Sequence, residues 1–196
     1  MHAGDVAGSM VFDSPEGFLV ILSGASGDVH DSAGVGFIVA PWLRRSVVGF
    51  CQASSRMASL KLRVQGGKAA FISAYAPHSG KHFDERQQFF QDVSDFLSET
   101  SCHGPKFLMG DLNARLYRAL PGEEGIVGPG VFSNDAATIP SNANRHLLLE
   151  MCLAQEVTIA NTFTNVADEK LITCYNVGKK AMDTVTWEAH SGYLIR

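Results

Sequence analysis

The sequence predicts a strand-rich α/β chain folded as one domain, and three observations carry that prediction. Short apolar runs bounded by Gly, Pro, Ser and Asp recur along the first half, as half-buried strands do. Two stretches change to a helical period: Phe89, Phe90, Val93, Phe96 and Leu97 form one stripe, and Leu147, Leu148, Met151 and Cys152 a second. The chain has 196 residues, 45% hydrophobic and 18% charged, long enough for one sizeable core and too short to demand two. Residues 1–196 therefore read as a single domain, with residues 1–16 expected to be irregular.

Residues 1–17 are Gly-rich, and Asp13-Ser14-Pro15 reads as a turn. Residues 18–22 (FLVIL) form the first expected strand. The small residues of the loop at 23–34 invite comparison with a phosphate cradle, but it lacks both the Walker pattern and a helix-opening GxGxxG. Residues 34–40 are a second strand stopped by Pro41; a turn with Arg44 and Arg45 leads to a short strand at 47–51. The alternation over 57–64 predicts a strand whose wet face bears Lys61 and Arg63. Gly66-Gly67 turns it into the strand at 68–77, so strands joined in succession by turns imply an antiparallel meander.

The first helix follows, with Asp84 as expected N-cap and Gln87 completing a capping box. Its aromatic stripe keeps helical spacing, which assigns it to the core and not to base stacking. Residues 116–140 are a long Gly- and Pro-rich loop, of a length usually functional or mobile. A second helix is expected at 142–155, capped by Ser141, then strands at 157–160, 171–175 and 184–187.

Composition excludes several classes. No apolar run approaches the roughly 20 residues of a membrane span, and the first residues lack a basic start followed by an apolar core, so the chain reads as intracellular. Cys51, Cys102, Cys152 and Cys174 are scattered without CxxC or zinc-type spacing, and are expected as reduced, buried thiols. His78, His82, His146 and His190 carry no ligand spacing. A formal net charge of -4 lacks the basic footprint of a tight nucleic-acid binder, without excluding a nuclease whose metal bridges acidic groups to phosphate.

The chemistry concentrates in residues 106–115 (KFLMGDLNAR). Phe107, Leu108 and Met109 end at Gly110, as a buried strand does when it delivers polar side chains to a sheet edge. In extended chain Asp111 and Asn113 share a face, with Leu112 turned to the core. A carboxylate there can take a proton from water or hold a cation, and an amide can orient that water or a phosphate oxygen. The plainer alternative is an Asx turn closing the strand. Residues 68–77 (KAAFISAYAP) form a companion strand ending in Tyr75 and a turn proline.

Strand, YAP, helix, strand, GDLNA is a specific order. Together with residues 32–41 (SAGVGFIVAP), the Asn-Arg-His-Leu-Leu helix start near 144, residues 159–164 (IANTFT) and residues 183–192 (DTVTWEAHSG), it resembles the endonuclease/exonuclease/phosphatase superfamily. Within it the chain is most similar to non-LTR retrotransposon endonuclease domains and their craniofacial development protein 2-like relatives. The resemblance implies a DNase I-like α/β sandwich: two mostly antiparallel sheets face to face, helices on the outer faces. It implies Tyr75 at the scissile phosphate, Asp111 orienting or deprotonating the attacking water and binding the metal, and Asn113 supporting the phosphate. Arg86 and Arg115 are candidates for reaching phosphate or for surface ion pairs, and Thr186-Trp187 match a TW preceding the last catalytic strand.

The implied cofactor is Mg2+, with Mn2+ as substitute. The implied partner is DNA through its phosphate backbone, and the implied location is nuclear. Family members carry an early strand with Asn, a second ending in a metal-binding Glu, and a final strand with an Asp-His pair. None is found here, so the resemblance implies a domain truncated at both ends, of impaired activity. A non-catalytic remnant or binding module of the same fold, and a phosphatase of the same superfamily, are the alternatives.

Overall fold

The computed structural model describes residues 9–24, 33–116, 118–131, 143–164 and 194–195. Two sheets divide the strands. The smaller contains β1 (Ser9–Asp13), β2 (Leu19–Gly24) and β3 (Gly34–Val39) in that order, antiparallel throughout. The larger runs β4 (Val47–Ser54), β5 (Met57–Val64), β6 (Gly67–Tyr75), β7 (Lys106–Asp111), β9 (Leu194–Ile195), β8 (Thr158–Ile159). All its pairings are antiparallel except β6 with β7. That parallel pair is joined through helix α1 (Phe83–Glu99), as a crossover must be. Helix α2 (Ala143–Ala154) packs beside α1.

The register of β5 on β6 sorts the core into two layers. Met57 pairs with Ala74 and Ser59 with Ile72, and Met57, Ile72 and Ala74 pack with Phe89, Phe90, Val93, Leu97, Leu148 and Cys152 beneath the helices. Ala58, Leu60 and Leu62 turn the other way and meet Ile21, Val35, Phe37 and Val39 of the smaller sheet. The order is thus small sheet, large sheet, helices, which is the expected α/β sandwich with its described helices on one outer face. The outer face of the small sheet leaves Met10 60% and Ile38 72% exposed.

Several expectations are corrected. Residues 1–16 are not irregular throughout, because Ser9–Asp13 is a strand on β2. The meander is broken after β3, where a 3-10 helix at Pro41–Ser46 carries the chain to the second sheet. The first half of β5 is buried on both faces, and only its far end is wet. Helix α1 starts one residue before Asp84, with His82 at the N-cap and no side-chain cap bond. Cys51 is exposed and only Cys152 of the described cysteines is buried. Of the long loop, residues 126–128 are buried: Ile126 and Val127 join the helix-side core, and Gly130 N donates to Thr162 O at 2.6 Å. The strands expected at 171–175 and 184–187, the Ser141 cap, Thr186, Trp187, Cys174 and His190 lie outside the described residues.

Candidate active site

The site grows from two strand ends. In the parallel ladder Phe71 pairs with Phe107, Ser73 with Met109 and Tyr75 with Asp111. In-register partners share a face, and here it is the one turned to the small sheet: Phe71 and Phe107 stack at 5.1 Å, and Phe71, Met109 and Tyr75 pack on the inter-sheet core. The carboxylate and the phenol are therefore neighbours on one face. Arg56, from the turn between β4 and β5, lies over the Tyr75 ring at 5.2 Å, and its Nη1 donates to Tyr75 O at 3.4 Å. Nothing in the sequence singled out Arg56, because its ring partner lies on another strand.

Gly110 makes the close pairing possible. Its φ of +129° is one that L side chains rarely adopt, and a Cβ there would stand 1.9 Å from Ala74 O. Past Asp111 the chain leaves the extended conformation. Asn113 has φ 47°, in the left-handed region that Asn tolerates, so the alternation expected to place it on the same face as Asp111 does not continue that far.

The hydrogen bonds at this turn are specific. Asp111 Oδ1 accepts from Asn113 N at 2.9 Å, so the Asx turn is present. Ala76 N donates to Asp111 O, and Asn113 Nδ2 donates to Ala76 O, both at 2.8 Å. Asn113 is buried and part of its amide fastens the Asp111 turn to the Tyr75 turn. The structure thus brings Tyr75, Asp111 and Asn113 together.

Other expected residues fall elsewhere. Arg86 is 7% exposed, donates through Nε to Lys81 O and through Nη1 to Asn144 Oδ1, and lies over Phe83; it is a buried tie, not a surface cation. Arg115 is half-buried, and its Nε finds no hydrogen-bond partner among the described residues. His146 pairs with Glu150 on the surface of α2 at 3.0 Å. Buried Arg145 grips Glu123 with two bonds, at 3.0 and 2.5 Å, which anchors the loop at 118–131 to α2. Burial alone would raise the Glu123 carboxyl, but the Arg145 bonds and the Leu120 N–H outweigh it and hold the carboxyl below its ordinary 4.5.

A search of solved structures finds this arrangement of sheets and helices in an endonuclease/exonuclease/phosphatase family protein from Leptotrichia buccalis C-1013-b, with a TM-score of 0.58 and 13% identity, over 93% of this chain and 61% of that one. The fold is that of the endonuclease/exonuclease/phosphatase superfamily. The endonuclease domain of TRAS1, a telomere-specific non-LTR retrotransposon, aligns at a TM-score of 0.49 and 12% identity, over 97% of this chain and 80% of that domain. In sequence the chain is 27% identical over 141 residues, 71% of its length, to craniofacial development protein 2 of Bos taurus, and 26% identical over 141 residues to that of Tragulus javanicus. It spans 22% and 23% of the length of those relatives. No family model matches the chain.

For an endonuclease/exonuclease/phosphatase fold the question of a divalent ion arises. Among the described residues no group of three or more His, Cys, Asp or Glu side chains could hold one. The chemistry of Asp111 itself fits Mg2+ in a limited way. That ion commonly takes one or two carboxylates and completes its shell with water and substrate phosphate.

Proposed function

We propose that this chain is a phosphodiesterase domain acting on DNA in the manner of a retrotransposon-type endonuclease. The observation that carries the reading is the Tyr75–Asp111 pair, a phenol and a carboxylate in register on one face at the ends of neighbouring parallel strands. The fold and the order YAP, helix, GDLNA support it.

In this reading the Asp111 carboxylate orients a water for in-line attack on a phosphodiester and accepts its proton, while the P–O bond opposite the water breaks and the departing sugar oxygen takes a proton from solvent. Tyr75 donates its hydroxyl hydrogen to a phosphoryl oxygen, and Arg56, stacked on the ring, adds positive charge beside it. Asn113, locked to Ala76, keeps the Asp111 turn at a fixed distance from Tyr75. Asp111 is the residue that would hold Mg2+ or Mn2+, which when bound would stabilise charge developing on the phosphate. With no cluster of three ligand-type side chains among the described residues, metal affinity is expected to be weak and nicking slow. The net charge of -4 likewise predicts weak, salt-sensitive DNA contact.

The test is nicking of supercoiled plasmid by the purified chain in Mg2+ or Mn2+. Asp111→Ala is expected to reduce the rate by about 100-fold or more and Tyr75→Phe by about 10- to 100-fold, in the range of losing one preorganised group. A second reading, a binding module of the same fold, is favoured by the Asx turn that occupies one oxygen of Asp111. DNA retention without nicking would select it, and release of phosphate from phospholipid or nucleotide instead would select a phosphatase.

A further inference from the structure

Outside the reacting pair, one fully buried polar side chain touches both halves of the site. Asn144 is the second residue of α2 and is 0% exposed. Its Nδ2 donates one hydrogen to Pro77 O at 2.9 Å and the other to Asn113 O at 3.1 Å, while its Oδ1 accepts from Arg86 Nη1 at 3.1 Å. Pro77 lies two residues past Tyr75, and Asn113 two residues past Asp111. A single carboxamide therefore bridges the two post-strand turns at equivalent positions. Arg86, itself fixed by Lys81 O and stacked on Phe83, sets which way that carboxamide faces.

The chemistry is restrictive. Two donors in one plane and an acceptor on the same short side chain are available only from Asn; Asp offers no donor when ionised, Ser and Thr offer one, and Gln is a methylene longer. Buried carbonyls deprived of their donors would have to turn toward water or toward other donors, and the turns carrying them would move.

We propose that Asn144, oriented by Arg86, is a positioning residue for the Tyr75–Asp111 pair: it locks the turns at 76–77 and 112–114 to one another and so sets the separation of the phenol and the carboxylate. The functional half of this inference rests on the reading of that pair as catalytic. The positional half does not.

The experiment uses the full chain and two variants, Asn144→Asp, which keeps shape and loses both donors, and Arg86→Lys, which keeps charge and loses the fork. Native-state amide hydrogen exchange is followed at Ala76 N–H and Asn113 N–H, with the β5–β6 ladder amides as reference. Asn144→Asp is expected to lower protection at Ala76 and Asn113 by at least about tenfold while the ladder stays within about twofold, a local opening and not a global one. Arg86→Lys is expected to give the same pattern at smaller size, and it decides alone if Asn144→Asp does not fold. Unchanged protection at the two turns, or an equal fall everywhere, would overturn the proposal by reducing Asn144 to an ordinary buried polar group.

Plasmid nicking supplies the second readout: kcat is expected to fall about 10- to 100-fold with KM within about twofold, the signature of misplaced groups and not of lost substrate binding. If the parent chain does not nick, the catalytic reading fails on its own, and the exchange pattern still decides whether Asn144 positions the turns.

Discussion

Gly110→Ala probes the geometry on which the site depends. Gly110 is the in-register partner of Ala74, one step before Tyr75 and Asp111, at φ +129°. The added methyl carbon would sit 1.9 Å from Ala74 O and 2.9 Å from Ala74 C, whereas real Cβ contacts essentially never fall under 3.0 Å. The atoms in the way are backbone, so no rotamer change relieves the clash. Either β7 moves away from β6 by about an ångström, at the expense of ladder hydrogen bonds, or the residue rotates out of its φ. A strained backbone of this kind costs about 1–3 kcal/mol, and loss of one ladder bond adds about 1 kcal/mol.

A destabilisation of about 3 kcal/mol corresponds to a fall in Tm of about 6–12 °C for a chain of this size. Gly49→Ala is the control, because a Cβ at that position in β4 meets nothing within 4 Å and the φ is ordinary. It is expected to lie within about 0.5 kcal/mol of the parent. Thermal and urea unfolding followed by circular dichroism measure both. If Gly110→Ala melts within about 1 °C of Gly49→Ala, β7 does not lie against β6 in this register, and the pairing of Tyr75 with Asp111 goes with it.

The Arg145–Glu123 pair predicts a pH dependence. Because Glu123 is held below its ordinary 4.5, the pair's contribution is full above about pH 4.5 and is lost as pH falls further. Unfolding free energies from urea titrations of the parent and of Arg145→Met at pH 7 should differ by about 1–3 kcal/mol, since the Arg145 end is buried and the Glu123 end only partly so, and converge toward pH 3; a constant difference would show that the charge is not the cause. Burial pushes the Cys152 thiol up to about 12, so it should resist a thiol reagent at pH 8 in the native chain while exposed Cys51 reacts; mass mapping that finds Cys152 labelled as fast as Cys51 would refute its placement. The row of Phe12, Val20 and Ile38 across the small sheet predicts self-association, and Ile38→Lys should reduce light scattering at high protein concentration without changing Tm by more than about 2 °C.

What the sequence made legible was local. The bounds of β5 coincide with the alternating run at 57–64, and the stripe of α1 reappears as its buried face. The end of β7 at Asp111 follows from an apolar run meeting a glycine. What remained illegible depended on partners far along the chain. β1 was hidden because SMVF is short and sits against a turn signal, and pairing with β2 makes it a strand. Arg86 reads as a cation free for phosphate or a surface ion pair until Asn144, 58 positions later, is seen to accept a hydrogen bond from its Nη1. Asn144 looks like any polar residue near a helix start, since its contacts are 31 and 67 positions away. No local pattern shows that β6 and β7 are neighbours and parallel; that pairing is seen only in the fold.

The position of the pair follows from the same alternation that builds the core. On β6 the residues facing the small sheet are Phe71, Ser73 and Tyr75, and on β7 they are Phe107, Met109 and Asp111. The strands share one register, so each step toward the C-terminal ends advances both together, from a stacked pair of phenylalanines under the small sheet to a phenol beside a carboxylate. The large apolar members are spent where the two sheets cover one another, and the polar members arrive where both strands stop. Beyond that point backbone pairing alone no longer fixes the separation of the strands. The Ala76–Asp111 bond, the Asn113 amide and the Asn144 carboxamide take over from the ladder within two residues. A pair that reacts in the proposed way would need polar groups at a boundary of the core and rigid spacing at that boundary; here the ladder register supplies the first and the three turn contacts the second.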